Sequence, residues 1–485
     1  MNNKFLDKLL KTYIYILIIG MPLFFDNGYF NMLTAKQSFF IKFSIIFLTA
    51  IFVGKFAEQC RKNDNKYIDL NFADVLVLVF MSVVIIGTFC SNNIMTTILG
   101  KNGWGLGTLF IIINILVFLT ISINQIFSKK MIVTILVVAL VVCCLGIINA
   151  LGGDPIGIMR ELKKDEYGKY LSTIGNIDWY GEYCAVIHSM SVVCYFEVSN
   201  ENNNHTQYMI LSLICSLISY SASILSGSDC GMTGIVISTI YIFILMLKTG
   251  KKNKKLYIYL AAICIINFVL KTIIIRRCII EIGVIQNTVI SYINLIIIGW
   301  WIINKFNNMK EKGIVLGVII IIAICTFNEE LFNRIQELKA YFIFNDSWGT
   351  YRGHIWSYSV KMFDKMNIQG KLFGNGLDSF GDLAKKYFYE DLYTFFGKKI
   401  VNAHNNFLQL LITTGIVGTM SYYLFNIWII AVGIKTNIYT KIMTMGVVTY
   451  IVQGIFNNFQ PLGVVYMCIL YALINSEIKS ETREI

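Results

Sequence analysis

Charge is scarce in this sequence: 14% of its 485 residues are Asp, Glu, Lys or Arg, 56% are hydrophobic, and the mean hydropathy is +0.63. No single water-soluble core could need so much apolar surface, so the chain belongs in a bilayer. Several chemical signatures are missing too. There is no P-loop, paired-histidine zinc motif, DxD-type acidic pair or hydrolase nucleophile elbow, which disfavours a nucleotide-sugar enzyme built on an acidic metal motif. The segment from Asn328 to His404 contains no cysteine and is therefore not disulfide-stapled. The twelve cysteines lie almost wholly in apolar runs, without metal-ligand spacing. Internal repeats and low-complexity tracts are absent, and histidines number only four.

What is present is a series of apolar runs. A spanning helix needs about 20 mostly apolar residues, and about fourteen candidates occur: 12–28, 38–54, 72–90, 106–126, 131–150, 181–198, 209–226, 231–247, 256–274, 282–302, 314–328, 415–434, 442–457 and 461–476. The first follows Lys4, Lys8 and Lys11 but has no small-residue cleavage site after it, so it reads as a retained helix. The net charge of +12 sits mainly in short clusters between the runs, where it sets topology and does not point to nucleic acid. With the N-terminus inside, Lys55, Arg61, Lys62, Lys66, Lys129, Lys130, the "KTGKKNKK" stretch, Lys305, Lys310, Lys312, Lys435, Lys441, Lys479 and Arg483 all fall on the inner face. The short outer loops hold chiefly Lys36, Lys101, Arg276 and Arg277. The expected fold is an all-α integral membrane protein of about 12–14 transmembrane helices with one long extracytoplasmic loop and both termini cytoplasmic. Its parts are an N-terminal bundle over 1–328, the loop over 329–414, and a C-terminal part over 415–485.

Two outer segments break the pattern. Residues 151–180 place Arg160, Lys163, Lys164 and Lys169 where positive charge is normally avoided. The segment 329–414 is far longer than a connector needs to be, and such loops usually carry function or structure of their own. Within it Ile355, Trp356, Ser359, Val360 and Phe363 recur at helical spacing from a start near Trp348, predicting an amphipathic helix along the membrane surface with Arg352 one turn before Trp356. "FGNGLDSFG" reads as a glycine-built turn through Gly374 and Gly376. "NAHNNFLQLLITTGIVG" then puts His404 near a helix N-terminus, at the outer interface.

Arginine stays charged at any working pH and pairs bidentately with phosphate oxygens, so Arg352 with Arg160, Lys163 and Lys164 suits a lipid diphosphate. For the lysines the alternative is solvated loop charge or headgroup contact. A neutral histidine can take a proton from a hydroxyl nucleophile, which makes His404 a candidate base; the alternative is a helix-end residue. His188, inside an apolar run, reads as a hydrogen-bonded interior residue, while His205 falls in an inner loop and His354 beside Arg352. Asp229 in "LSGSDCGMTG" could bind a sugar hydroxyl or orient a basic residue, or be an ordinary turn residue. Trp179 and Tyr180 in "STIGNIDWYGEY" stand at the mouth of a span and fit an aromatic belt equally well. The spans otherwise read as almost free of charge, which argues against a polysaccharide or lipid transporter.

In this order, "STIGNIDWYGEY", "SGSDCGMTG", "RGHIWSYSVKMFDKMNIQGKLFGNGLDSF" and "NAHNNFLQLLITTGIVG" resemble the O-antigen ligase and polymerase family of bacterial envelope glycosyltransferases, the last two motifs most specifically. The resemblance implies a fold like that of C-type glycosyltransferases, a location in the bacterial cytoplasmic membrane, and no metal or other cofactor. It implies an undecaprenyl-diphosphate-linked glycan as donor and a glycan or other hydroxyl as acceptor. Arg352 would match the arginine that binds the diphosphate. His404 would match the histidine that meets the acceptor, with Trp356 and Asn405 as neighbouring substrate contacts. Membrane lipid and envelope polysaccharide assembly proteins are the further partners implied. Many members have arginine where this chain has Asp229, so Arg160 or Lys163 could supply part of the charge at the phosphates. A scaffold subunit of an envelope assembly is the non-enzymatic alternative.

Overall fold

The computed structural model describes residues 3–26, 28–62, 69–100, 105–198, 205–249, 254–274, 277–290, 293–294, 297 and 343–484. These residues are almost entirely helical, and the one sheet among them is a two-residue antiparallel pairing of Tyr170 with Asn176 and Leu171 with Gly175. The N-terminal helices are α1 (Asn3–Leu23), α2 (Met32–Lys62), α3 (Phe72–Phe89), α4 (Ile94–Leu99), α5 (Thr108–Asn124), α6 (Lys129–Ala150), α7 (Ile177–Glu197), α8 (His205–Leu225), α9 (Asp229–Thr249) and α10 (Lys254–Val269). After the gap come α11 (Trp348–Lys365), α12 (Ile368–Phe373), α13 (Phe380–Tyr387), α14 (Asn406–Thr436), α15 (Ile438–Gln453) and α16 (Pro461–Glu484). Twelve of the expected spans each overlap one of these helices; 282–302 is described in part, with helix over 284–290, and 314–328 lies wholly outside the described residues. Eight described helices are long and apolar enough to cross a membrane unaided. The chain is thus a multi-pass, all-α membrane protein.

Helix α7 is the axis of the bundle. Every residue from Trp179 to Phe196 is buried, because α7 packs on α8, α9 and α15. A helix surrounded by protein needs no lipid-facing stripe and can carry polar groups that a neighbour satisfies. Glu182 is accordingly buried, its carboxylate taking a hydrogen bond from Asn457 Nδ2 at 3.0 Å. His188 is the interior residue expected, its Nδ1 lying 3.0 Å from the Ser216 carbonyl. Trp179 and Tyr180 are not belt residues: both are buried, and the Tyr180 hydroxyl donates to the Cys143 carbonyl.

The spans are less free of charge than the sequence suggests. Lys36 belongs to the first turns of α2, not to a loop, and its buried ammonium donates to the carbonyls of Met21, Pro22 and Phe24 at 2.7, 3.3 and 3.0 Å. It thereby satisfies the carbonyls that end α1 and complements the negative end of that helix dipole. At the opposite end of the bundle Asp74 and Lys479 form a buried ion pair at 2.5 Å, and Asp74 also accepts from Asn475 and Ser122. Lys441 pairs with Glu197 at the same end. These charges are tied to partners that join helices, which is why they survive in apolar surroundings.

The long loop folds as a small unit with its own core. Ile355, Met362 and Met366 from α11 and the residue after it pack against Phe380, Leu383 and Ala384 of α13 and against Leu408 and Ile412 at the start of α14. The apolar face of α11 therefore meets protein and not a membrane surface. Val360, expected in the stripe, is half exposed, and Met362 takes its place inside. The glycine turn is present as expected, with φ of 77° at Gly374 and 92° at Gly376. It seats on a break in α14 at Gly415 (φ 66°), where the Gly376 amide captures the carbonyl of Thr413 at 3.1 Å. A Cβ on Gly374 would lie 2.1 Å from that carbonyl, so the docking requires glycine.

Candidate active site at one end of the bundle

His404 lies in the turn that leads into α14, and the turn is fixed from three sides. Asn405 is the N-cap: its Oδ1 accepts from the Leu408 amide at 3.0 Å, while its Nδ2 donates to the Ile455 carbonyl at 3.0 Å. The Asn406 amide donates to the Gly454 carbonyl at 2.7 Å. From α11, Trp356 Nε1 donates to the Ala403 carbonyl at 3.0 Å. His404 itself has a left-handed backbone (φ 48°), a conformation uncommon outside glycine and of the kind that clusters at functional sites. Its imidazole makes no hydrogen bond among the described residues and is half-buried.

Arg352 opens the regular part of α11. The three residues before it, Gly349, Thr350 and Tyr351, all have left-handed backbone, and Gly353 after it is buried with the Asn345 carbonyl occupying the space of a Cβ. This tight turn fixes where the guanidinium starts. Arg352 is half-buried and has no hydrogen bond or ion pair among the described residues. His354, its neighbour, is committed elsewhere, with Nε2 2.9 Å from the Asp391 carbonyl and its ring stacked on Phe395.

Arg352 and His404 lie within electrostatic reach of each other. Burial first, and the Arg352 charge second, push the His404 imidazole down to about 4; Asp178 acts in the opposite sense and Lys398 reinforces Arg352. Asp178 stands in the first turn of α7, where its Oδ1 accepts the Ser228 hydroxyl at 2.5 Å. Glu182 lies one turn further along the same helix, and Gln453 Nε2 donates to the Cys230 carbonyl at 2.9 Å, locking α15 to α9 behind the site. The carboxylates at 178 and 182 were overlooked in the sequence. Their signal was available: two acids four residues apart on an otherwise apolar helix, just after the capping Asn176.

The remaining sequence candidates are distributed around this centre. Trp356 and Asn405 meet at the His404 turn as supports of its backbone. Asp229 is exposed at the first residue of α9, 3.5 Å from Gln286 Nε2. Arg160, Lys163 and Lys164 are exposed on two short 3-10 turns whose apolar residues Ile158, Met159 and Leu162 pack under Tyr29 and Met32. Among the described residues no interaction joins those three cations to Arg352 or His404. Removing the Trp356 donor while keeping a ring, as in Trp356→Phe, leaves the Ala403 carbonyl unpaired, which costs about 1–3 kcal/mol for a buried group. Activity is expected to fall several-fold at equal protein level, and an unchanged rate would show that the anchor does not matter.

Residues 285–423 match the family model described as O-antigen ligase. That segment holds Arg352, the glycine turn and His404, the two motifs on which the resemblance chiefly rested. It leaves out Asp178 and the basic outer loop. No curated protein matches the chain. The match supports an O-antigen-ligase-like membrane enzyme and implies glycosyltransferase-like activity.

Proposed function

We propose that the protein joins a glycan from an undecaprenyl-diphosphate carrier to a hydroxyl acceptor, as an oligosaccharide polymerase or ligase on the outer face of a bacterial cytoplasmic membrane. The carrying observation is an arginine and a histidine at one end of a membrane bundle, both half-buried and neither side chain hydrogen-bonded or ion-paired among the described residues. The acceptor oxygen attacks the anomeric carbon, the bond from that carbon to the diphosphate oxygen breaks, and the hydroxyl proton passes to His404. Arg352 stabilises the charge that develops on the departing diphosphate. Its guanidinium is free to do so because no carboxylate among the described residues pairs with it.

An apolar cavity of about 180 Å³ supports a lipid-linked donor. It is walled by Leu76, Phe80, Phe118, Tyr422 and Phe425 between α3, α5 and α14, and its polar rim includes Asn402, two residues before His404. Its surface is mostly apolar, which suits a hydrocarbon chain. In this reading the long loop faces outward, and Arg160, Lys163 and Lys164 attract the anionic carrier to the outer surface.

The test is the set of lipid-linked glycans in a strain lacking the protein. Accumulated single repeats are expected of a polymerase and accumulated full-length chains of a ligase; a normal lipid-linked pool would refute both. The buried ions in α2, α3 and α16 do not restore the transporter reading, because each is tied to partners in a static pair or cap.

A further inference from the structure

Four aromatic rings form one patch beside the His404 turn. Between ring centroids, Trp348 lies 5.2 Å from Trp356 and 5.6 Å from Phe344, Phe344 lies 5.9 Å from Trp356, and Phe456 closes the set 6.1 Å from Trp348. The patch is tied to that turn at two points. Trp356 Nε1 donates to the Ala403 carbonyl, and Phe456 follows Ile455, whose carbonyl takes the Asn405 side-chain amide. Arg352 leaves the same tight turn as Trp348, its stem lying 3.5 Å from where a Cβ on Gly349 would stand. A closed aromatic cluster would be ordinary core, but this one is open: Phe344 is 61% and Phe456 36% exposed, and both tryptophans are half-buried. Polar groups border it, since Asn345, Asp346, Ser347 and Thr350 are all exposed. The Trp356 ring nitrogen is turned to protein, so this residue does not make the headgroup contact of an aromatic belt.

We propose that this patch is a stacking subsite for a sugar ring of the donor glycan, next to the point where Arg352 takes the diphosphate. The inference rests on the proposed donor and on the proposed role of Arg352. A pyranose ring has C–H groups on its faces and hydroxyls around its edge. The faces suit the electron-rich face of an aromatic ring, and the edge needs hydrogen-bonding partners at the border of the patch. A lipid chain would use the rings and leave that border idle. Here the Asp346 carboxylate, 78% exposed and 3.8 Å from His354 Nδ1, and the Asn345 side chain, which takes the Ser347 hydroxyl at 2.8 Å, supply the border. A glycan hanging from a diphosphate on Arg352 starts beside Trp348, so the occupant is the donor and not the acceptor. The rings contribute binding and orientation, and no bond is made or broken on them.

The probe is the oligosaccharide released by mild acid from the lipid-linked pool that accumulates in a strain lacking the protein, added to the full chain in detergent. Saturation-transfer NMR from the aromatic protons is expected to reach the sugar C–H protons in the wild type. Binding should weaken by about threefold or more for each ring removed in Phe344→Ala and Phe456→Ala, and recover in Phe344→Tyr and Phe456→Tyr, which keep a ring face. Both positions are exposed, so the alanine variants should fold; where one does not, Phe344→Leu keeps the apolar bulk without a ring face and reads the same loss. Absence of transfer to the sugar in the wild type, or equal binding in the ring-less variants, overturns the subsite and leaves the reaction standing. A normal lipid-linked pool in the deletion strain yields no probe and refutes the glycosyltransferase reading, and the subsite with it.

Discussion

Arg352→Ala is expected to lower glycan transfer by about a hundredfold or more, the usual scale for removing a preorganised group that stabilises developing charge. Arg352→Lys should recover only part of the loss. A lysine keeps the positive charge but loses the planar fork that meets two phosphate oxygens at once. The geometry makes the distinction sharp, because the left-handed run Gly349–Tyr351 and the close packing at Gly353 fix the start of the side chain and leave the backbone little room to adapt. The comparison belongs at equal protein level in the membrane, with donor binding measured beside transfer. Full activity in Arg352→Lys would mean that only a positive charge is needed and would remove the bidentate role.

The helices were legible because lipid imposes one rule on every span: a run of apolar residues long enough to satisfy its own backbone. That rule located α3 and α6 closely and found the middle of α2 and α14. It said little about what faces what. Lys36 was assigned to a loop because a lysine in a span is costly, and the structure offsets that cost with three carbonyls at the end of α1 that belong to a different part of the sequence. Val360 and Met362 exchanged places for a similar reason: α11 has its inner face chosen by α13 and the start of α14, and periodicity alone allowed a stripe rotated by part of a turn.

At the site, the local features were readable and the tertiary ones were not. Gly374 and Gly376 announce a turn by composition, whereas the cap proved to be Asn405, expected only as a substrate contact, and not His404. The approach of Asp178 to His404 depends on α7 meeting a turn more than two hundred residues later, and nothing in either segment encodes it. Trp179 and Tyr180 misled for the same reason. Aromatic residues at the end of a span face lipid only when that span is peripheral, and α7 is central. The basic 151–180 loop was legible as an anomaly of charge, and its cations lie on exposed turns with no pocket built around them among the described residues.

His404→Asn should fold, reach the membrane and bind donor, yet transfer about a hundredfold or more slowly, the range expected for loss of a general base. Asparagine is the appropriate replacement because it tolerates the left-handed backbone that His404 adopts, so a loss of rate is not confounded with strain. The helix-end alternative makes a contrasting prediction. Asn405, not His404, caps α14, so an end residue at 404 could be replaced with little effect on either stability or turnover. The pH dependence separates the readings further. A histidine can accept a proton only when neutral, and burial with Arg352 has brought His404 down to about 4, so transfer limited by this group should fall as pH drops through that region and be flat above it. That falling limb should be absent in His404→Asn, whose residual rate depends only on positioning and on Arg352. Near-normal turnover in that variant, with the wild-type limb still present, would show that another group takes the proton, and Asp178 would then be the carboxylate to test as the base.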